Sequence, residues 1–135
     1  MIHLSSMAHA KLNLTLDVLG RRGDGYHDLK MVMQEISLGD ALELDLETGA
    51  PWAMECGSAG IPCDDTNLCI KAARLFFGAT GIDCHGLTVR LTKYTPSCAG
   101  MGGGSADGAG VLVGLNALLS SPLRTERLIE LGARV

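Results

Sequence analysis

Residues 96 to 107 read Pro96-Ser97-Cys98-Ala99-Gly100-Met101-Gly102-Gly103-Gly104-Ser105-Ala106-Asp107, placing four glycines within five positions. Glycine inside a helix or strand costs about 0.5–1 kcal/mol relative to alanine, so this run must be a loop. It follows an alternating segment that ends near Lys93 and leads directly into the apolar run Val111 to Leu119, so the loop joins a strand to a helix. The first N–H groups of a helix have no partner within it, and the helix dipole places about half a positive charge there. Glycines bring no Cβ to hold a ligand off, and they reach the positive φ at which successive N–H groups converge. The loop is therefore read as an anion cradle suited to phosphate, with Ser105 expected to cap the helix and donate to a phosphate oxygen. A flexible linker would not run at once into an apolar helix. The pattern lacks G-K-[ST] and does not form G-x-G-x-x-G, which excludes a P-loop and a Rossmann turn.

The rest of the chain supplies the frame. Leu12, Leu14, Leu16 and Val18 alternate with Lys11, Asn13, Thr15 and Asp17, the period of a half-buried strand, so Lys11 and Asn13 project to one side. Gly20 to Gly25 is a turn cluster, and Leu29 to Leu38 is a buried strand or short helix ended by Gly39-Asp40. Leu42, Leu44 and Leu46, and later Leu87, Val89 and Leu91, mark two more amphipathic strands. Asp64-Asp65-Thr66 offers cap chemistry for a helix through Leu68, Ala72, Leu75 and Phe76, stopped by Gly78. A second helix is predicted from Gly104-Ser105 to about Leu119, burying Ala109, Leu112, Val113 and Asn116 and ended by Pro122, and a third from Thr125 to Leu131. Without regular βαβ spacing, this order favours an α+β sandwich with helices on one sheet face.

At 135 residues the chain is read as one domain with a real core. Its net charge of −4 opposes general binding to nucleic acid, so an anion must be held by a local site. The longest apolar stretches fall short of the ~20 residues of a membrane span, and no signal pattern opens the chain, so the protein is read as soluble and cytoplasmic. Cys56, Cys63, Cys69, Cys84 and Cys98 contain no C-x-x-C pair and are read as reduced thiols; His3, His9 and His85 are read as surface or packing residues, and no metal site is predicted.

The string P-x-x-x-G-x-G-x-G-S-A-D resembles the ATP loop of the galactokinase, homoserine kinase, mevalonate kinase and phosphomevalonate kinase superfamily. Together with Ala10-Lys11-Leu12-Asn13-Leu14, Gly25-Tyr26-His27-Asp28-Leu29 and Asp65-Thr66-Asn67-Leu68, in this order, the triple glycine resembles the family within it whose substrate is a cytidine diphosphate ester of methylerythritol (CDP-methylerythritol). The resemblance runs from about Ala8 to Val135. It implies the N-terminal domain fold of that superfamily, a ribosomal protein S5 domain 2-like sandwich, over residues 1–135, and transfer of phosphate from ATP, with Mg²⁺, to the substrate's 2-hydroxyl.

By the same resemblance, Lys11 is the catalytic lysine, stabilising charge on the transferring phosphoryl group, and Asn13 contacts the substrate alcohol. Tyr26 and His27 form the cytidine end, a ring stacking on the base and an imidazole bonding its edge. ATP is held by Pro96, Ser97, Cys98, Ala99, Gly100, Met101, Gly102, Gly103, Gly104, Ser105 and Ala106, with Asn67 lining the adenosine side or, alternatively, serving only the helix start. Lys93 lends charge to the phosphates or is a surface lysine, and Cys98 is a small space-filler or an oxidisable thiol. The family's catalytic aspartate, in G-[AS]-D-V-P, is expected beyond Val135, as is a second domain, so the chain taken alone is expected to be nearly inactive. Two other readings are another kinase of the superfamily and a non-catalytic nucleotide-binding module.

Overall fold

The computed structural model describes residues 1–83 and 86–135. Cys84 and His85 lie outside the described residues. The elements run β1 (Ile2–Arg21), β2 (His27–Leu46), β3 (Ala53–Cys56), α1 (Leu68–Thr80), β4 (Leu87–Thr92), α2 (Gly103–Leu118) and α3 (Thr125–Gly132). One sheet has the order β1-β2-β4-β3, antiparallel except where β3 runs parallel to β4. The parallel pair follows from the connection: a helix, α1, lies between β3 and β4, as a crossover requires. The α+β class is as the sequence predicted; β3, four residues with little alternation, was not anticipated.

Leu42 faces Leu91 and Leu44 faces Val89 across β2 and β4, and all four are buried. Against them pack Ile70, Ala73 and Phe76 of α1, Val111, Leu112 and Leu115 of α2, and Leu131 of α3. Each such leucine or phenylalanine contributes about 1.5–3 kcal/mol of burial. In α2, Gly110 and Gly114 let the helix settle on the sheet: a Cβ at Gly114 would meet Leu44 Cδ1 at 2.6 Å, and one at Gly110 would meet Leu42 Cδ2 at 3.0 Å. The buried face thus carries Gly108, Val111, Leu112, Leu115 and Asn116, whereas Ala109 and Val113, expected inside, face solvent. The helix is apolar all round, so periodicity alone could not select a face.

The largest departure is the hairpin of β1 and β2. They pair almost end to end, from Ile2 opposite Leu46 to Arg21 opposite His27, and β2 does not stop at Gly39-Asp40. On β1 only Ala8 and Ala10 are buried, and Leu14 and Val18 are each 61% exposed, so the alternating segment is a strand but not a half-buried one. Gly39 serves a close approach of strands, since a Cβ there would stand 2.7 Å from the Ala8 carbonyl oxygen. The turn cluster is real: Arg22 N–H donates to the Tyr26 carbonyl at 2.6 Å. In α1 the stop is Gly81, left-handed at φ 67°, its N–H closing on the Phe77 carbonyl, and Gly78 lies within the helix.

Candidate functional site

The glycine loop is shaped by its backbone. Every second residue from 98 to 102 is left-handed: Cys98 at φ 57°, Gly100 at 71° and Gly102 at 69°. Left-handed residues at every second position are a backbone pattern that suits an anion nest. Gly102 is the N-cap of α2 and offers no side-chain bond, so Ser105 lies within the first turn and is not the cap. Ala106 N–H, donating to the Gly102 carbonyl at 2.9 Å, makes the opening helical bond, and the N–H groups of Gly103, Gly104 and Ser105 have no partner within the helix. A cavity of about 370 Å³ opens over them, lined by residues 96–105 together with Asn67, Leu68, Lys93 and Asp107. That is within the range of small-molecule sites.

Strand β1 holds the loop from the side. Lys11 N–H donates to the Met101 carbonyl at 3.0 Å, and a Cβ at Gly102 would lie 3.3 Å from Lys11 Cγ, so the lysine stem runs along the loop. Lys11 Nζ donates to Asn13 Oδ1 at 3.2 Å, which puts both side chains on one face, as their spacing predicted. Lys11 and the loop are thus brought together.

Beneath the loop lies a buried charged cluster that sequence reasoning missed. Asp40, with no exposed surface, accepts from Tyr94 N–H at 2.6 Å, Thr95 N–H at 2.8 Å, Thr95 Oγ1 at 2.6 Å and Lys93 Nζ. Lys93 Nζ also donates to Asp107 Oδ2 at 2.8 Å, while Asp107 Oδ1 is buried with no partner among the described residues. Burial works against the Asp40 carboxylate, but Lys93, Thr95 and Tyr94 outweigh it and hold the group down to about 2. Asp107 has one donor among the described residues, and burial pushes it up to about 6. Burial alone would depress Lys93; its two carboxylate partners reverse that and raise it. Lys93 is therefore held at the cavity wall by two carboxylates and is not a free cation there. Gly103 seats the loop on this cluster: a Cβ there would meet Thr95 Oγ1 at 2.3 Å and Lys93 Nζ at 3.3 Å. The signal for Asp40 was a lone carboxylate inside an otherwise apolar strand segment, Leu38 to Leu42, read as a turn because glycine precedes it.

The other predicted residues divide. Asn67 lines the cavity and is also the N-cap of α1: its Oδ1 accepts from Cys69 N–H at 2.8 Å and its Nδ2 donates to the Pro62 carbonyl at 2.7 Å. Asp64, expected to cap, instead accepts from Thr66 N–H at 2.9 Å in the turn before the helix. Tyr26 and His27 stand exposed at the hairpin tip, ten residues along β1 from Lys11 by the pairing of Arg21 with His27, and are not brought to the loop. His3 and His9 pair with Asp45 and Glu35 on the sheet surface. Among the described residues no three His, Cys, Asp or Glu side chains gather to hold a metal. The one carboxylate lining the cavity is already held by Lys93, so these residues do not build a magnesium site of their own.

Residues 67–135, from the cap of α1 through the loop to the end of α3, match the family model described as the GHMP kinases N terminal domain. The chain belongs to the GHMP kinase family. Among curated GHMP relatives, the 4-diphosphocytidyl-2-C-methyl-D-erythritol kinase of Carboxydothermus hydrogenoformans is 46% identical over 128 residues, covering 95% of this chain and 43% of the relative. The enzyme of the same name from Geobacter metallireducens is 43% identical, covering 96% and 46%. The crystal structure of a 4-(cytidine 5'-diphospho)-2C-methyl-D-erythritol kinase superposes with a TM-score of 0.77 at 33% identity over 96% of this chain and 46% of that one. A homoserine kinase from Cytophaga hutchinsonii superposes at 0.75 with 21% identity over 98% and 40%, a likeness of GHMP fold alone. The chain spans less than half the length of these relatives.

Proposed function

We propose that the chain is the ATP-binding part of a cytoplasmic kinase that phosphorylates the 2-hydroxyl of 4-diphosphocytidyl-2-C-methyl-D-erythritol in isoprenoid synthesis. The observation that carries the reading is the left-handed alternation at residues 98, 100 and 102 leading into the open first turn of α2, an anion nest with Lys11 laid along its flank. A polyphosphate in this nest would receive backbone N–H groups on one side and the Lys11 ammonium on the other. Phosphoryl transfer asks for little more than such positioning and charge stabilisation. Asn13, hydrogen-bonded to Lys11, would orient an acceptor hydroxyl beside that cation. Tyr26 and His27 are assigned to the cytidine end, and the magnesium belonging to the reaction is taken to travel on the nucleotide's phosphates. No residue of the chain is assigned as the base; Asp107 is nearly buried and already paired with Lys93.

Radiolabelled phosphate transfer by the complete gene product to the cytidine diphosphate ester, set against homoserine, mevalonate and galactose, tests this. Transfer to the cytidine ester alone, lost by more than about a hundredfold in Lys11→Ala, is the expected result. Preferential labelling of another alcohol, or full activity in the alanine variant, would refute the assignment.

A further inference from the structure

The buried cluster under the loop has a charge imbalance that bears on any anion bound above it. Asp40 and Asp107 share one cation, Lys93, whose side chain is 9% exposed, while the two carboxylates are 0% and 4% exposed. With both carboxylates ionised the trio is net negative. Four donors serve Asp40, one serves Asp107, and Asp107 Oδ1 has none among the described residues. A Cβ at Gly103 would collide with Thr95 Oγ1 at 2.3 Å and press on Lys93 Nζ at 3.3 Å, and Lys93 and Asp107 line the same cavity as the loop, so a phosphate in the nest would sit close to this trio.

The other charged or titratable neighbours do not relieve the imbalance. From α1, the Cys69 thiol is buried and pushed up to about 12, so it stays neutral. From β1, Lys11 lies along Gly102 on the loop's flank with its ammonium turned to Asn13. From the α3 side, Val135 meets Gly108 through its apolar side chain. A polyphosphate seated in the nest therefore adds negative charge close to an unpartnered carboxylate oxygen in a poorly solvated setting, and the charged form of that carboxyl becomes costlier.

We propose that phosphate binding at the glycine loop is coupled to uptake of a proton by Asp107, which then stands as a neutral acid beside a balanced Lys93–Asp40 pair. The inference rests on the phosphate-loop reading above and deepens it. A neutral Asp107 has an O–H to donate, so the cluster under the loop changes from repelling the ligand to tolerating it. Because this carboxyl already titrates near 6, a modest further rise carries it across neutrality. The neighbouring Asp40, fixed by four donors, stays ionised throughout and keeps Lys93 in place.

The experiment is calorimetric titration of the complete gene product with ATP, without acceptor, in two buffers of different ionisation enthalpy between about pH 6 and 8. Beside it, Asp107→Asn is titrated to subtract protons exchanged by the nucleotide itself. The wild type is expected to take up a substantial fraction of one proton more than the variant, and the variant to lose that part of the pH dependence while still binding ATP. Equal proton exchange in the two overturns the proposal. Where circular dichroism shows the variant unfolded, inorganic sulfate, which does not titrate in this range, decides on the wild type alone: its affinity should fall about tenfold as pH rises by roughly one to two units above 6. Sulfate affinity independent of pH overturns the coupling. Failure of ATP and sulfate alike to bind overturns the phosphate loop itself and this inference with it, whereas binding without proton uptake overturns this inference only.

Discussion

Two aspartates that share one lysine carry opposite pH signatures, because the backbone serves them unequally. Asp40 is held at about 2, below its unfolded value, so its contribution to stability is complete above about pH 4 and is lost as pH falls through about 2. Asp107 is raised to about 6, so its contribution is complete below about pH 4 and fades as pH rises through about 6. The expected result in urea denaturation from pH 4 to 8 is that wild type loses stability relative to Asp107→Asn as pH rises, by on the order of 2–3 kcal/mol across the window. Asp40→Asn should instead be destabilised at every pH above about 4, by about 3 kcal/mol, since its amide keeps one acceptor oxygen for Tyr94 and Thr95 N–H but turns an N–H₂ toward Lys93 and the Thr95 hydroxyl and removes the charge that partners Lys93. Gly103 belongs to the same scale. Its side-chain position points into Thr95 and Lys93, so even Gly103→Ala should displace the loop and weaken ATP binding by more than about tenfold. Gly104→Ala, whose Cβ would rest 3.4 Å from Leu68 Cδ1, should instead leave the urea midpoint nearly as in wild type.

Among the elements, α1 and α2 show how far a helix can be read from its sequence. The periodic apolar positions of α1 located it well, and the structure moved its cap from Asp64-Asp65-Thr66 to Asn67 because that side chain reaches both Cys69 N–H and the Pro62 carbonyl. Asn67→Ala is expected to cost about 1 kcal/mol in equilibrium unfolding, with most of it regained in Asn67→Ser, which keeps the capping oxygen. Helix α2 was legible in extent but not in orientation. Leucines and valines surround it, and its docking face is chosen by Gly110 and Gly114, where absence of a side chain lets the backbone approach Leu42 and Leu44. Gly114→Ala should therefore destabilise by about 1–3 kcal/mol in spite of alanine's better helix propensity, measured as a drop in the urea midpoint. An unchanged or higher midpoint would show that Leu44 yields without cost.

Over the whole molecule, the hairpin is the feature that sets this chain apart from a closed domain. Leu14, Leu16, Val18 and Leu19 on β1, and Val32 and Met33 on β2, are all between 49% and 66% exposed. So many exposed apolar side chains along one strand pair normally mark a contact with another polypeptide surface. The 135-residue chain alone is expected to bind a hydrophobic dye and to associate at micromolar concentrations, and Leu14→Thr with Val18→Thr should reduce both, as read by fluorescence and light scattering. A monodisperse monomer without dye binding would contradict this.

The alternation of β1, β2 and β4, the apolar period of α1 and the glycine run determined the elements and the loop, because each is a local pattern tied to one backbone geometry. The Lys11–Asn13 pairing was legible for the same reason, a period of two. What only the tertiary structure decided lies where distant segments meet: Asp40, Lys93 and Asp107, separated by 53 and 14 positions, converge under the loop. No local period links such residues, and a buried carboxylate is tolerated only through the partners that the fold brings to it.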